Sequence, residues 1–278
     1  MIPTITFYDI PSKNGPWSGN TLKTRYALNF KNLPYKTHWI EYPDIAEVGQ
    51  SIGAKPVGKT PNTDDPQWTC PMISVVLPDD EKATVVTDSG DIADFLDAEP
   101  ALNGADTPML FPLGTRDVQD SFLTAAVSNS IIERGIIALG ASGSAAKLLP
   151  RSEEYFRRTR LEWYGGNTEW LGERAAHRKL PLEEWVPLGS AYREEAWAKV
   201  KAAWGRAAKI FMAAKDSSAA GPWLFGTTPV YADLVLLAWL AWLKHVSTED
   251  EWGKVLSWDD GLWATLWDAS KPLRAQTD

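Results

Sequence analysis

The chain has 278 residues, 44% hydrophobic and 23% charged, with a formal net charge of -8, a single cysteine and three histidines. That length is long for one domain and comfortable for two, and the acidic balance excludes a nucleic-acid partner, which needs a basic face. One cysteine excludes an internal disulfide framework.

The opening "MIPTITFYDI" has no basic stretch followed by a long apolar run, so it does not read as a secretory leader, and a cytoplasmic protein is expected. Residues 4–10, "TITFYDI", predict a strand and residues 21–31 a helix, on the helical spacing of Leu22, Tyr26, Ala27 and Phe30. Between them lies "PWSGN", poor helix interior but good helix start: Ser18, Asn20 and Thr21 are types that satisfy free N–H groups. Residues 37–42 alternate as a second strand, and a short helix is expected over 44–53. The run "GAKPVGKTPNTDDPQW" is a loop by its Gly, Pro, Asn and Asp content. "MISVVL" and "ATVVTD", separated by "PDDEK", predict a hairpin, and residues 89–99 a helix that starts on Ser89. The order is β-α-β-α-β-β-α.

Character changes after residue 100. The division expected is 1–100, a linker at 101–114, and 115–278 as an all-helical part. Helical patterns run over 115–139, 152–176, 190–215, 229–246 and 258–270, broken at "GASGS", "PLEEWVPLG" and "DSSAAGPWLFGTTP". The longest apolar run, "LVLLAWLAWL" from Leu234, is about half of what a bilayer requires and predicts a buried helix, with no membrane partner. Most of the fifteen tryptophans are expected in the core, a minority lining an aromatic cleft.

His38, His177 and His245 show no metal-ligand spacing and read as structural, so no metal is expected; His245 ends a helix, where a cation is mildly favourable. "RSEEYFRRTRLEW" alternates charge and predicts a solvated helix face. "GASGSAA" contains glycines but not the GxxxxGK[ST] phosphate loop, and a nucleotide-binding or serine-hydrolase function is not expected.

Four stretches, in order, give the chain a likeness to a family. They are "PWSGNTLKTRYALNFKNLPYKTHWIEYPD", "CPMISV", "VTDSGDIADFL" and "PWLFGTTPVYADLVLLAWL". Together they resemble the cytosolic glutathione transferases, and the first looks closest to the fungal-specific class that is similar to bacterial β-aryl-ether-cleaving (etherase-type) enzymes. The resemblance implies a thioredoxin-like N-terminal domain followed by an all-α domain, glutathione as co-substrate, and a homodimer.

It also implies site residues. Ser18 falls at the position of the catalytic Ser or Cys, with Asn20 as runner-up donor and Gly19 allowing close backbone approach. Pro71 matches the cis proline before the third strand, and Cys70 would pair through its backbone with the cysteinyl part of glutathione. Asp88 and Ser89 match the pair that holds the γ-glutamyl group; a plain helix cap is compatible with either, and for Asp88 the two readings weigh equally. Lys55, with Lys59 behind it, is the guess for the glycyl carboxylate, and Gln67 and Trp68 would cover that end. Tyr8 and Trp17 would wall a hydrophobic acceptor site. Val230 departs from the family's Ser or Thr, leaving the capping box around Asp233 incomplete unless Thr227 or Thr228 substitutes. Asp233 is expected to be structural.

The reading is a glutathione transferase acting on aromatic or ether-type electrophiles and binding bulky phenolics. A ligand-binding protein with little turnover and a non-catalytic relative of the same fold remain alternatives.

Overall fold

The structure, a computed structural model, describes residues 3–61, 63–78, 80–132, 136–165, 180–215 and 220–275. The N-terminal part is thioredoxin-like. Strand β1 (Thr4–Asp9) is followed by helix α1 (Gly19–Phe30), strand β2 (Lys36–Trp39) and the short helix α2 (Ile45–Ser51). Two-residue strands β3 (Gly58–Lys59) and β4 (Pro66–Gln67) pair with each other, and β5 (Met72–Val76), β6 (Thr84–Thr87) and α3 (Ser89–Ala98) complete the unit. The main sheet runs β2-β1-β5-β6, parallel between β1 and β2 and antiparallel elsewhere.

Alternation along β1 sends Phe7 and Asp9 to the α1 face and Tyr8 to the other. Arg25 of α1 meets that first face. Its guanidinium donates to Asp9 Oδ2 at 3.0 and 3.3 Å, to Thr37 Oγ1 at 3.0 Å and to the Tyr35 hydroxyl at 3.1 Å. A charge pair this buried is tolerable only because its remaining hydrogen-bonding positions are also filled. Helix α1 closes through Asn32 at φ 53°, a residue type that accepts the left-handed region, with the Leu33 N–H returning to the Leu28 carbonyl at 3.0 Å.

The remaining elements are helical: α4 (Arg116–Phe122), continued by a wider π-type stretch at Leu123–Ile132, then α5 (Ile136–Ser144), α6 (Pro150–Tyr164), α7 (Ala191–Ala214), α8 (Tyr231–Val246), α9 (Glu249–Ser257), α10 (Leu262–Ala269) and α11 (Lys271–Ala275). Apolar α8 is buried almost throughout and packs along α1. Lys31 closes the joint between the two parts, its ammonium donating to Asp97 Oδ1 at 2.7 Å, Asn103 Oδ1 at 2.8 Å and the Pro108 carbonyl at 3.1 Å.

Three expectations are corrected here. "GASGS" does not break the chain: α5 runs through it to Ser144, because Gly140 and Gly143 let it lie against α8. A Cβ at Gly140 would sit 2.4 Å from the Trp242 ring, and one at Gly143 2.7 Å from the Val246 carbonyl oxygen. Helix α9 stands where no helix was expected, started by Thr248 and Glu251 in a reciprocal cap. The stretch read wholly as loop carries the β3–β4 ribbon. The end of the helix predicted over 152–176, and His177, fall outside the described residues.

Candidate functional site at one end of the sheet

Register builds the site. Tyr8 pairs with Met72, and Met72 with Thr87, so the exit of β1, the entry of β5 and the exit of β6 lie side by side. Three chain corners therefore gather at one end of the sheet: the loop leading to Ser18, Cys70–Pro71, and Asp88–Ser89. The Cys70–Pro71 peptide bond is cis.

Ser18 is the N-cap of α1 and is only 8% exposed. The Leu22 N–H reaches its carbonyl at 2.9 Å, but its hydroxyl caps nothing. It stands uncommitted at the positive end of a twelve-residue helix. Gly19 is close to Trp239 of α8: a Cβ there would be 3.0 Å from the indole. Asn20 is exposed and accepts at 3.0 Å from the Lys23 ammonium. Burial brings Lys23 down to about 8, with Asp88 opposing the shift.

The loop before Ser18 is fastened to the helical part. Lys13 donates from its backbone to the Lys147 carbonyl at 2.8 Å and from Nζ to the Ala146 carbonyl at 2.7 Å. Trp17, 4% exposed, lies on the His245 ring with centroids 4.9 Å apart. His245 stands in the last turn of α8, where a cation would be mildly favoured. Burial, then the neighbouring Lys147 charge, lower its pKa to about 4, so the imidazole is neutral.

Asp88 begins α3 at φ 73°, a backbone region costly for a side-chain-bearing residue, and accepts from the Gly90 N–H at 2.8 Å. Ser89 is buried beside the Tyr231 phenol; burial raises that phenol, with Ser89 opposing. Cys70 is buried and its thiol is pushed up by burial and by Asp9. It is a packed thiol, not a nucleophile.

Lys55 is exposed on the excursion before β3, Lys59 pairs with Asp64 at 2.7 Å, and the Gln67 carbonyl accepts from the Val57 N–H at 2.9 Å. Trp68 anchors this excursion, donating to the Ala54 carbonyl at 2.9 Å and covering Gly49. Tyr8 faces away from α1, beside His38 at 5.2 Å, with its hydroxyl on Ser74. Asp233 accepts from the N–H groups of Val230 at 2.9 Å and Leu224 at 3.1 Å, and its own N–H donates to the Val230 carbonyl at 3.0 Å, so the cap is made without Thr227 or Thr228.

Sequence reasoning did not pick out Lys23, Tyr231 or Trp239, nor a site role for His245. The available signal was one face of α8, where Tyr231, Trp239 and His245 interrupt an aliphatic helix with polar-tipped rings at helical spacing. At the junction with α6, Tyr42 stacks on Tyr155 at 6.1 Å, and the Arg160 guanidinium lies over Phe156 at 4.3 Å and Tyr42 at 5.3 Å. Among the described residues no cluster of three or more His, Cys, Asp or Glu could hold a metal, and no helix is long and apolar enough to cross a membrane.

Comparison with known proteins agrees at every scale. Residues 17–99 match the family described as glutathione S-transferase, N-terminal domain, and residues 170–273 that described as glutathione S-transferase, C-terminal domain. A glutathione S-transferase of Ceriporiopsis subvermispora, solved in complex with glutathione, is 36% identical over 99% of both chains, with a TM-score of 0.81. Glutathione transferase GSTFuA3 of Phanerochaete chrysosporium is 32% identical, covers 100% of both chains and gives 0.79. A glutathione S-transferase-like protein of Aspergillus flavus is 28% identical across 95% of this chain and 87% of its own.

Proposed function

This chain belongs to the glutathione S-transferase family, and from that premise we propose that it transfers the glutathione thiolate to hydrophobic aromatic or aryl-ether electrophiles, with Ser18 as the residue that meets the sulfur. The observation that carries the proposal is the uncommitted Ser18 hydroxyl at the start of α1, on the same end of the sheet as Pro71 and Ser89. Glutathione lies across that end, its cysteinyl part along the Cys70 backbone. Its γ-glutamyl carboxylate is at Ser89 and the start of α3, where free N–H groups favour an anion. Asp88 faces the γ-glutamyl ammonium, and Lys55 with Gln67 the glycyl end. This reading divides the work between 1–100, which holds the tripeptide, and 115–278, which walls the acceptor, across the linker 101–114.

Magnitudes say where the rate comes from. A thiol of pKa ~8.5 is about 3% ionised near neutrality. Lowering it by about two units raises that fraction about 25-fold, and a Brønsted slope of roughly 0.4–0.5 returns most of the gain. The net effect of activation is a few-fold. Holding the electrophile beside the sulfur supplies the remainder. Trp17 and the junction cluster of Tyr42, Tyr155, Phe156 and Arg160 are the aromatic wall for that, and their flat rings suit bulky phenolics as ligands as well.

The test is calorimetry with reduced glutathione, then turnover of a β-aryl ether and a halogenated nitrobenzene. Heat with turnover supports the proposal, and heat without turnover makes the protein a ligand binder. The absence of heat removes the assignment of Ser18, Pro71 and Ser89 altogether.

A further inference from the structure

A cleft of about 580 Å³ lies on the helical part, lined by α7, α9 and the turns that flank them, with no residue from the sheet, α1, α3 or α6. It is separate from the end of the sheet where Ser18, Pro71 and Ser89 meet.

The floor is rigid and its charges cancel. Arg193 donates from Nε to Glu251 Oε1 at 2.6 Å and from Nη2 to Oε2 at 2.8 Å, and the Trp197 indole donates to Oε1 at 2.7 Å. Burial works against the Glu251 carboxylate, but these bonds and the Thr248 N–H hold it at about 2, so it stays ionised and keeps its partners. The walls are aromatic: Trp197 and Trp258 meet edge to face with centroids 6.1 Å apart. Trp258 is buried but for 8% of its surface, so a planar guest meets the open part of Trp197 and an edge of Trp258.

The rim is polarised. Helices α7 and α9 run in the same direction, since Arg193 meets Glu251, Trp197 meets Trp258, and Gly205 lies near Asp259. Glu194 therefore sits at the same end as the Arg193–Glu251 pair, and Lys201 lies about 10 Å further along α7 at 1.5 Å per residue. Lys254 is one turn beyond Glu251 on α9. Among the described residues neither ammonium has a carboxylate within ion-pair distance, in contrast to Lys199, which pairs with Glu195 at 2.9 Å. Among the described residues Lys201 and Lys254 thus stand without an ion-pair partner, Lys201 toward the opposite end of the cleft from Glu194 and Lys254 between Glu251 and Trp258.

We propose that this cleft is a binding site for a flat aromatic carboxylate, its rings against Trp197 and Trp258 and its carboxylate between Lys201 and Lys254. The volume is within the roughly 300–1,000 Å³ of small-molecule sites, and the lining sets two indoles among charged side chains. The assignment does not rest on the transferase reading.

The probe is naphthalene-2-carboxylate, titrated into the full chain by calorimetry and by ¹⁵N–¹H spectra of the indole groups, with Trp197 and Trp258 identified from their Phe variants. The expected result is movement of those two indole signals and an affinity that weakens with added salt. The double variant Lys201→Glu/Lys254→Glu changes only exposed side chains, and should weaken binding by about tenfold or more, leaving the elution volume and glutathione binding unchanged. Naphthalene-2-carboxamide, of the same shape without the charge, should bind several-fold more weakly. Still indole signals at residues 197 and 258 in the presence of bound probe, equal affinity in the double variant, or no binding at all would each overturn the proposal.

Discussion

Trp17 and His245 form a tilted stack, with ring planes 30° apart and centroids separated by 4.9 Å, that ties the residue before Ser18 to the last turn of α8. The contact joins a loop of the N-terminal part to a helix of the C-terminal part. It works only while the imidazole stays uncharged in its buried place.

Stability should therefore fall in mild acid. His245 has a folded-state pKa of about 4 against 6.5 when unfolded, so between those values the unfolded chain binds the extra proton. The contribution is fully present above pH 6.5 and is lost as pH drops through about 4, amounting to about 3 kcal/mol from linkage. Urea unfolding at several pH values should give a flatter pH dependence for His245→Phe, which keeps the stack and cannot titrate. Parallel curves for the two proteins would refute it.

Ser18→Ala should fold as the wild type does and shift the acid limb of the conjugation profile upward. If the hydroxyl lowers the thiol by about two units, the variant loses about threefold near neutrality and about tenfold near pH 5.5. Initial rates across pH decide the matter. A variant with an unmoved limb would transfer the role to Asn20 or to the backbone.

Ser89→Ala should act on affinity. A hydrogen bond to a charged carboxylate contributes about 1.5–3 kcal/mol, so KM for glutathione should rise roughly 10- to 100-fold with little change in kcat. Tyr231→Phe is the control, because it removes the phenol that Ser89 meets and spares the serine. An equal KM in the Ser89 variant would show that its hydroxyl serves only Tyr231.

Asp233→Ala should destabilise without touching chemistry. It strands two buried N–H groups, those of Leu224 and Val230, at a cost of about 2–5 kcal/mol together. Thermal unfolding should register this as a lowered midpoint, and activity of the folded fraction should match wild type. Lost activity in fully folded protein would contradict a structural role.

The sequence made visible what depends on neighbours along the chain. The β1 strand and the α3 start at Ser89 are local signals of alternation and capping and stand close to where they were read, while α1, read from residue 21 with Ser18, Asn20 and Thr21 as cap types, begins at Gly19 with Ser18 as its cap. What depended on distant partners was hidden. Asp9 and Arg25 are 16 positions apart and nothing in either segment announces that they bond. "GASGS" looks like a break until Trp242 and Val246 of a later helix are set against its glycines. The start of α9 was legible in "TEDE", whose Thr and second Glu form the cap, but a helix of nine residues with few apolar positions gives weak periodicity. Contacts of α8 with Trp17 and Gly19 needed the packing of the two parts, which no local pattern encodes.

Lys31 has a further consequence for motion. Its side chain is sealed from water, and the Asp97 carboxylate beside it also accepts from the Leu110 and Phe111 N–H groups at 3.1 and 2.8 Å. A linker knotted to a helix by this many polar bonds is no hinge, and dissolved ions screen exposed pairs far more than enclosed ones. The joint between the two parts is therefore held by enclosed polar bonds whose strength depends little on ionic strength.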